Sequence, residues 1–191
     1  MMKKIISLLL AILMLFSLCA CKKDGEKANE EIKTIDSYVM NGEIPEIPVK
    51  LGTSIEDFKK VFPEDTGDAD QDKVLLSEVA GETAVCLVTS NASFYYEKAN
   101  EDKGIAVIAV TGGSVYGLKL LDVTTKSDIT AKLEADFTEH VATEDEQYFL
   151  LGPAQNCTVL SATFDKIKLD FFLADGYLTA ATITNTEYWT D

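Results

Sequence analysis

The sequence predicts an α+β fold with two tandem repeats, each a helix followed by antiparallel strands, with the helices packed on one face of the sheet. Two observations lead to this class. Amphipathic segments that start near Ser54 and Thr125 each precede several strand-like runs separated by turn residues. A shift of 71 residues also aligns like residues in order, among them Cys86 with Cys157. The alternative is a chance match between two unrelated stretches.

The N-terminus has the pattern of a secretion signal. Lys3 and Lys4 precede an uncharged apolar run of 14 residues from Ile5 to Leu18. A membrane-spanning helix needs about 20 apolar residues, so this run predicts a signal peptide over residues 1–20. The alternative is a short anchor that is never cleaved.

The end of the apolar run resembles the bacterial lipobox, with Leu18, Ala20 and Cys21 at the required positions. Cys19 fits poorly, because bulky Leu18 would directly precede it. The resemblance implies that Cys21 receives a thioether-linked diacylglycerol and becomes the mature N-terminus, anchored to the bacterial cell membrane on its extracytoplasmic side. Two acyl chains hold a protein firmly where one is marginal. The alternative is an ordinary cysteine in an unprocessed tail.

Residues 21–34 are expected to form the lipidated cysteine and a flexible tether. The letters KKDGEKANEEIKT after Cys21 are charged and almost free of large apolar groups, so they bury too little surface to fold. Fully extended, this tether spans roughly 40 Å.

The charge balance excludes several partners. The chain has 32 acidic residues and 17 basic ones, all lysine, for a net charge of −15. Removal of residues 1–20 takes away two lysines and leaves −17. Nucleic acids and anionic membrane surfaces are bound through cationic patches. We therefore expect no nucleic acid partner and no polybasic contact with lipid.

The first repeat is predicted over residues 35–122. Ser54 and Asp57 form a helix start close to a capping box, Phe58 and Phe62 give helical apolar spacing, and Pro63 ends the helix. A Gly-Gly turn in TGGS predicts a hairpin between the last two strands. The predicted strands are KVLLSEV, TAVCLVTS, ASFYYEK, GIAVIAV and SVYGLKL.

The second repeat is predicted over residues 123–191. Its helix, VTTKSDITAKLEADF, begins at Thr125 and Asp128. The dipeptide Asp175-Gly176 is the strongest hairpin signal in the chain. The predicted strands are QYFLLG, NCTVLSATF, KIKLDFFLA and YLTAATIT.

These motifs resemble the β-lactamase-inhibitor-like fold, shared by secreted β-lactamase inhibitory proteins and small outer-membrane assembly lipoproteins. The likeness lies in LGTSIEDFKKVF, SFYY, GSVYGLKL and TTKSDITAKL, and covers residues 47–187. It implies a concave sheet that binds protein. The second segment departs from the pattern, with Val123 opposite the helix-start Gly52. None of that family's inhibitory contact residues can be carried over.

The sequence predicts no enzyme, no catalytic residue and no cofactor. His140 is the single histidine and lies in a polar stretch, where we expect it to be solvated. A serine or cysteine nucleophile needs a base nearby, and the common catalytic and nucleotide-binding motifs are absent from the sequence. An envelope hydrolase is the rival interpretation.

Asp68, Asp70 and Asp72 alternate as in the start of a Ca²⁺-binding loop. The loop then departs from the motif, because Lys73 replaces the required glycine and Val79 stands at the last ligand position. We predict a solvated acidic loop and no metal site, with a Ca²⁺ site as the alternative.

Cys86 and Cys157 remain after processing, and an even count in an exported protein permits a disulfide. Both lie in apolar strand runs at equivalent repeat positions. Stacked repeats would place them several strands apart at about 4.8 Å per strand, beyond the reach of about 7 Å between bridged Cα atoms. We predict two buried thiols, with the disulfide as the alternative.

Together these features predict a non-enzymatic extracytoplasmic lipoprotein that binds a protein or cell-envelope partner through an open sheet face. Adjacent aromatic residues, such as Phe94 with Tyr95 and Phe171 with Phe172, would give one ring to the core and one to that face. The alternative is that all of them pack in the core or at the sheet edges. The alternative function is a small-ligand or metal-binding lipoprotein that assists uptake.

Overall fold

The structure, a computed structural model, describes residues 34–62, 75–77, 84–143, 146 and 157–188. The signal peptide, Cys21, the acidic loop of Asp68, Asp70 and Asp72, and the strand predicted for QYFLLG lie outside these ranges, as does all of the tether except Thr34. The strands are β1 Leu75–Ser77, β2 Ala84–Val88, β3 Ala92–Glu97, β4 Val107–Val110, β5 Ser114–Val115, β6 Leu118–Lys119, β7 Thr138–Val141, β8 Cys157–Phe164, β9 Ile167–Ala174 and β10 Tyr177–Asn185. The helices described over their whole length are α1 Ile35–Met40, α2 Ile55–Val61, α3 Lys126–Lys132 and the 3₁₀ segment Lys98–Lys103.

Eight of the strands form one antiparallel sheet in the order β1-β2-β3-β4-β10-β9-β8-β7, and β5 pairs only with β6. Neighbouring strands along the chain are also neighbours in the sheet, except where β4 meets β10. At that junction Ile108 lies opposite Ile183 and Val110 opposite Ala181. The C-terminal strand therefore joins the early and late strands into one surface.

The predicted α+β class with two tandem helix-then-strand repeats is wrong. The strands belong to a single large antiparallel sheet, and α1, α2 and α3 have only six or seven residues each. Helices this short are not stable alone and contribute little beyond a few packing side chains. The sequence patterns located segments, but strand pairing is decided by contacts between distant residues, which local patterns do not encode.

The predicted helix starts are confirmed at both places. The Asp57 backbone N–H donates to Ser54 Oγ at 3.1 Å, which satisfies one of the free donors at the start of α2. Thr125 and Asp128 form a reciprocal capping box at the start of α3. Helix α1 was missed, although the Ser37 N–H donates to Thr34 Oγ1 at 3.3 Å in the same manner.

The two sheet faces have different neighbours. The inner face is the one that carries Phe94, Ile108 and Phe171, and it packs against buried residues of the helices in the largest apolar cluster. Phe58 of α2 is fully buried with its ring 4.9 Å from that of Phe94. Val39 of α1 belongs to the same cluster. The described helices therefore supply one side of the core.

The two hairpin signals have different outcomes. Asp175 and Gly176 both have positive φ, 50° and 86°, and form the two-residue turn between β9 and β10, as predicted. The Gly-Gly hairpin is wrong, because β5 pairs with β6 and not with β4. The N–H of Gly112 instead donates to the Asn91 carbonyl at 3.2 Å, and a Cβ at this glycine would lie 2.7 Å from Asn91 Oδ1. Close packing against the β2–β3 turn therefore explains this glycine.

Candidate functional site

The outer face of the sheet, opposite the helices, has small and polar residues at its centre. Ser93, Ala109, Thr182, Asp170 and Ser161 lie directly opposite one another on successive strands and form one row. All five are buried, with Asp170 only 5% exposed. The prediction of an open face for binding therefore has no support at the centre of this face, and accessible surface is found at the margins.

Asp170 is a buried carboxylate with several partners. Ser161 Oγ donates a hydrogen bond to its Oδ1, Lys168 Nζ lies 3.1 Å from its Oδ2, and Thr182 Oγ1 is 3.5 Å from Oδ2. An ionised carboxylate without partners would be very costly at this depth. Through these contacts Asp170 stabilises the buried centre of the outer face.

His140 lies on β7, and not in the polar loop predicted for it. Its Nε2 is 2.8 and 2.9 Å from the two carboxylate oxygens of Glu146. Burial acts to raise the pKa of Glu146, but the Thr143 backbone N–H, at 3.0 Å, together with His140 outweighs it and holds the pKa below its ordinary value. The histidine is thus paired with a carboxylate rather than simply solvated.

The ion pairs link these groups into one network, the outer-face network, made of His140, Glu146, Lys168, Asp170 and Ser161. Lys168 Nζ connects its two halves, at 3.7 Å from Glu146 Oε1 and 3.1 Å from Asp170 Oδ2. The Ser161 hydroxyl donates to the Asp170 carboxylate and not to the imidazole, so Ser161 and His140 do not form a nucleophile–histidine pair. Within the described ranges no buried side-chain polar atom lacks a hydrogen-bond partner, and no three acidic, histidine or cysteine side chains are placed to hold a metal.

Cys86 and Cys157 are free thiols, 4% and 2% exposed, which confirms the prediction of two buried thiols. Cys86 is on β2 and Cys157 on β8, five strand spacings apart in the sheet, or about 24 Å. Burial raises the pKa of both thiols. They pack as small apolar residues and are held in the unreactive, protonated form.

The aromatic pairs lie on opposite faces as predicted. Phe94 is fully buried on the inner face, and its neighbour Tyr95 lies half-buried on the outer face. Phe172 also points to the outer face but is 1% exposed and packs with Val159. In this pair, therefore, neither ring is available to a partner. Tyr188 is the remaining aromatic of interest and packs at the margin against Val107.

An exposed apolar surface lies at one end of the sheet. We define the apex patch as Leu121, Val123 and Tyr177, which are 71%, 75% and 48% exposed. The backbone of the loop runs beside the start of β10, because the Leu121 N–H donates to the Leu178 carbonyl at 2.9 Å and the Leu178 N–H donates to the Thr124 carbonyl at 2.8 Å. Two backbone hydrogen bonds therefore hold the loop that carries Leu121 and Val123 beside the start of β10, which carries Tyr177.

Leu121 is strained as well as exposed. Its φ is 57°, in the left-handed region, which costs a non-glycine residue about 1–2 kcal/mol. Tyr116 has a similar φ of 50°, but it is buried, and its hydroxyl donates to the Glu43 carbonyl at 3.0 Å. Packing and hydrogen bonding offset the strain at Tyr116, whereas the side chain of Leu121 faces solvent.

A shallow groove of about 420 Å³ lies beside α1. Its walls are largely apolar, and Lys50 Nζ and Glu43 Oε1, 3.8 Å apart, form an ion pair at its rim. Grooves of this volume are large enough for a small molecule. The lining residues are Tyr38, Glu43, Ile44, Pro45, Ile47, Pro48, Val49, Lys50 and Thr53.

Comparison with known proteins adds no relative. No family model, no curated protein and no solved structure matches this chain. Among the described residues no helix is long and apolar enough to cross a membrane.

Sequence reasoning missed the apex patch. The letters LLDV of residues 120–123 look like the end of a strand, whereas in the structure β6 ends at Lys119, and Leu121 and Val123 are exposed. The sequence gives only a weak indication of an exposed loop here. Leu120 and Leu121 are followed directly by Asp122 and Val123, at the predicted boundary between the repeats.

Proposed function

We propose that this chain is a non-enzymatic, membrane-anchored extracytoplasmic lipoprotein that binds a protein partner. The anchor rests on the lipobox resemblance at Cys21. The partner binds at the apex patch, at the margin of the sheet, rather than over the buried centre of the outer face. The observation that carries the proposal is the exposure of Leu121 and Val123, 71% and 75%, in a loop held by backbone hydrogen bonds.

Exposure of the apex patch has an energetic cost. Exposed leucine, valine and tyrosine side chains lose the free energy that burial gives, about 25 cal/mol for each Å² of apolar surface. The left-handed backbone of Leu121 adds a further cost. Neither cost is offset by contacts within the described part of the chain, and a bound partner that covers the patch would offset both. Rigid apolar and aromatic groups are the usual centres of protein interfaces.

A lipid surface is a weaker candidate for the same patch. Asp122 lies between Leu121 and Val123 in the chain, and Asp175 lies in the turn before Tyr177. These carboxylates are repelled by anionic headgroups. The mature chain also lacks the cationic clusters that accompany aromatic residues in membrane-surface segments.

Site-specific photocrosslinking in intact cells tests the proposal. A photoreactive amino acid at position 123 is expected to give discrete protein adducts. The same group at position 61 is the control, because Val61 is also an exposed apolar residue, 43% exposed, but belongs to α2 and not to the apex patch. Equal labelling from both positions, or lipid adducts alone at position 123, would contradict a protein partner at the apex patch.

The anchor has its own test. Cells grown with labelled palmitate are expected to incorporate label into the wild-type chain and not into Cys21→Ser. Cys19→Ser is the matched control and should keep the label. Label that persists in Cys21→Ser would remove the proposed anchor without bearing on the patch.

The groove beside α1 favours a second candidate function, small-ligand binding that assists uptake. Its volume of about 420 Å³ lies in the usual range for ligand sites. Filling it with Ile47→Trp, at a half-buried lining residue, would abolish the thermal stabilisation given by any compound found in a screen of small amphiphiles. A compound that still stabilises this variant would bind elsewhere.

A further inference from the structure

We propose that the partner of the apex patch presents lysine or arginine side chains around an apolar centre. The inference rests on the proposed function, because it names the chemistry of the surface that covers this patch. It is carried by the charges around the patch and by the exposed ring of Tyr177.

The rim of the apex patch is acidic. Asp122 lies within the patch, and its carboxylate accepts only the Val123 N–H, at 2.8 Å, among the bonds seen in the described residues. Asp175, in the β9–β10 turn, likewise has no ion pair among the described residues. Lys126, the first residue of α3, is neutralised by an ion pair with Glu139.

One further cation lies close in sequence. Lys119 on β6 precedes Leu121 by two residues, and its single charge offsets at most one of the two aspartates. The rim therefore keeps a negative charge, and it belongs to a chain whose net charge is −15. A field of this sign attracts cationic surfaces and repels anionic ones, and rim charges act mainly on specificity and on the rate of association.

Tyr177 adds a second reason for a cationic partner. Its ring is 48% exposed and directly follows the Asp175-Gly176 turn. A lysine or arginine side chain bound to Asp175 would lie within reach of the face of this ring, where cation–π attraction adds to the ion pair. The patch thus offers an apolar centre, an aromatic face and carboxylates within one short stretch of surface.

A peptide selection tests this chemistry. The full chain is the bait, and the probe is a phage-displayed library of short random peptides at physiological salt. Selected peptides are expected to be enriched in lysine and arginine next to leucine or aromatic residues. Raising the salt concentration should weaken their binding, because screening shortens the range of surface charges.

Charge variants with a matched control give the decisive comparison. In Asp122→Asn/Asp175→Asn the preference for lysine and arginine should disappear, and the affinity of the wild-type peptides should fall about threefold per aspartate, as for exposed ion pairs. The control is Asp165→Asn. Asp165 lies in the turn at the other end of β9, and its φ of 54° is close to the φ of 50° at Asp175. Asparagine is suited to both turns, so the melting temperatures should stay equal.

The outcomes separate the two proposals. If Leu121→Ser/Val123→Thr abolishes selection while the double asparagine variant keeps the basic preference, the cationic partner is wrong and the apex patch stands. If the Leu121→Ser/Val123→Thr variant selects the same peptides as wild type, both proposals are wrong. A loss of basic preference in Asp165→Asn equal to that in Asp175→Asn alone would overturn the inference, since each removes one negative charge and the preference would then follow net charge alone.

Discussion

The inner and outer faces of the same sheet are buried in different ways. On the inner face, large side chains such as Phe94, Ile108 and Phe171 pack against the helices. On the outer face, the central row contains serine, alanine, threonine and Asp170, joined by hydrogen bonds and the Lys168 ion pair. The comparison shows that one face is stabilised by apolar area and the other by satisfied polar groups. These respond differently to mutation and to pH.

Truncation of an inner-face aromatic is expected to have the largest effect. Phe94→Ala removes a fully buried ring that contacts both Phe58 and Phe62 and should lower the free energy of unfolding by about 3–5 kcal/mol. Urea denaturation followed by circular dichroism measures it. The control Val61→Ala, at an exposed position, should change it by less than about 0.5 kcal/mol. Similar losses for both variants would refute the assignment of Phe94 to the core.

On the outer face, Asp170→Ala should cost about 3 kcal/mol, because it leaves the buried Ser161 hydroxyl without its acceptor and Lys168 with only the more distant Glu146. Adding Ser161→Ala should recover part of that loss, since the orphaned hydroxyl is then absent as well. Strictly additive losses in the double variant, measured by urea denaturation, would mean that these two residues are not coupled.

At the margin of the outer face, Tyr188→Phe should cost about 1–2 kcal/mol. The Tyr188 hydroxyl accepts from the Glu97 N–H at 3.1 Å and donates to the Asn100 carbonyl at 3.1 Å. Its loss leaves a partly buried N–H unpaired. Tyr177→Phe is the control, because Tyr177 is exposed and the change should be nearly neutral. A neutral Tyr188→Phe would show that water replaces both bonds.

The smallest expected effect is on pH dependence. The pKa of Glu146 is held below its ordinary value of 4.5, so its contribution to stability is present above the unfolded-state pKa and is lost as the pH falls through the folded-state pKa. Glu146→Gln should therefore weaken the acid destabilisation of the fold, as measured by thermal melts from neutral to acidic pH. If the melting temperatures of the two proteins fell in parallel as the pH is lowered, the shift in the pKa of Glu146 would be contradicted.

Local elements were predictable and their assembly was not. Ser54 and Thr125 marked helix starts because a cap is a contact between residues three apart. Asp175-Gly176 marked a hairpin for the same local reason. The single sheet depends instead on Ile108 meeting Ile183, 75 residues away, and no short pattern encodes that distance.

The candidate site was predictable only in part. The buried thiols followed from the apolar neighbours of Cys86 and Cys157. Glu146 is only six residues from His140 in the chain, but Lys168 joins this pair through the pairing of β7, β8 and β9, which could not be foreseen. The backbone of Leu121 likewise bonds to Leu178, a residue in another part of the chain, so the place of this loop could not be predicted from local patterns.

The junction of β4 with β10 has a consequence for the order in which the protein is made. Residues 107–110 present an apolar strand edge that stays unpaired until residues 181–184, near the C-terminus, are available. An open edge of this kind recruits strands from other molecules, and contacts between distant residues form slowly. A nascent or truncated chain that ends before β10 should therefore aggregate, because the sheet is joined across β4 only when β10 has been made.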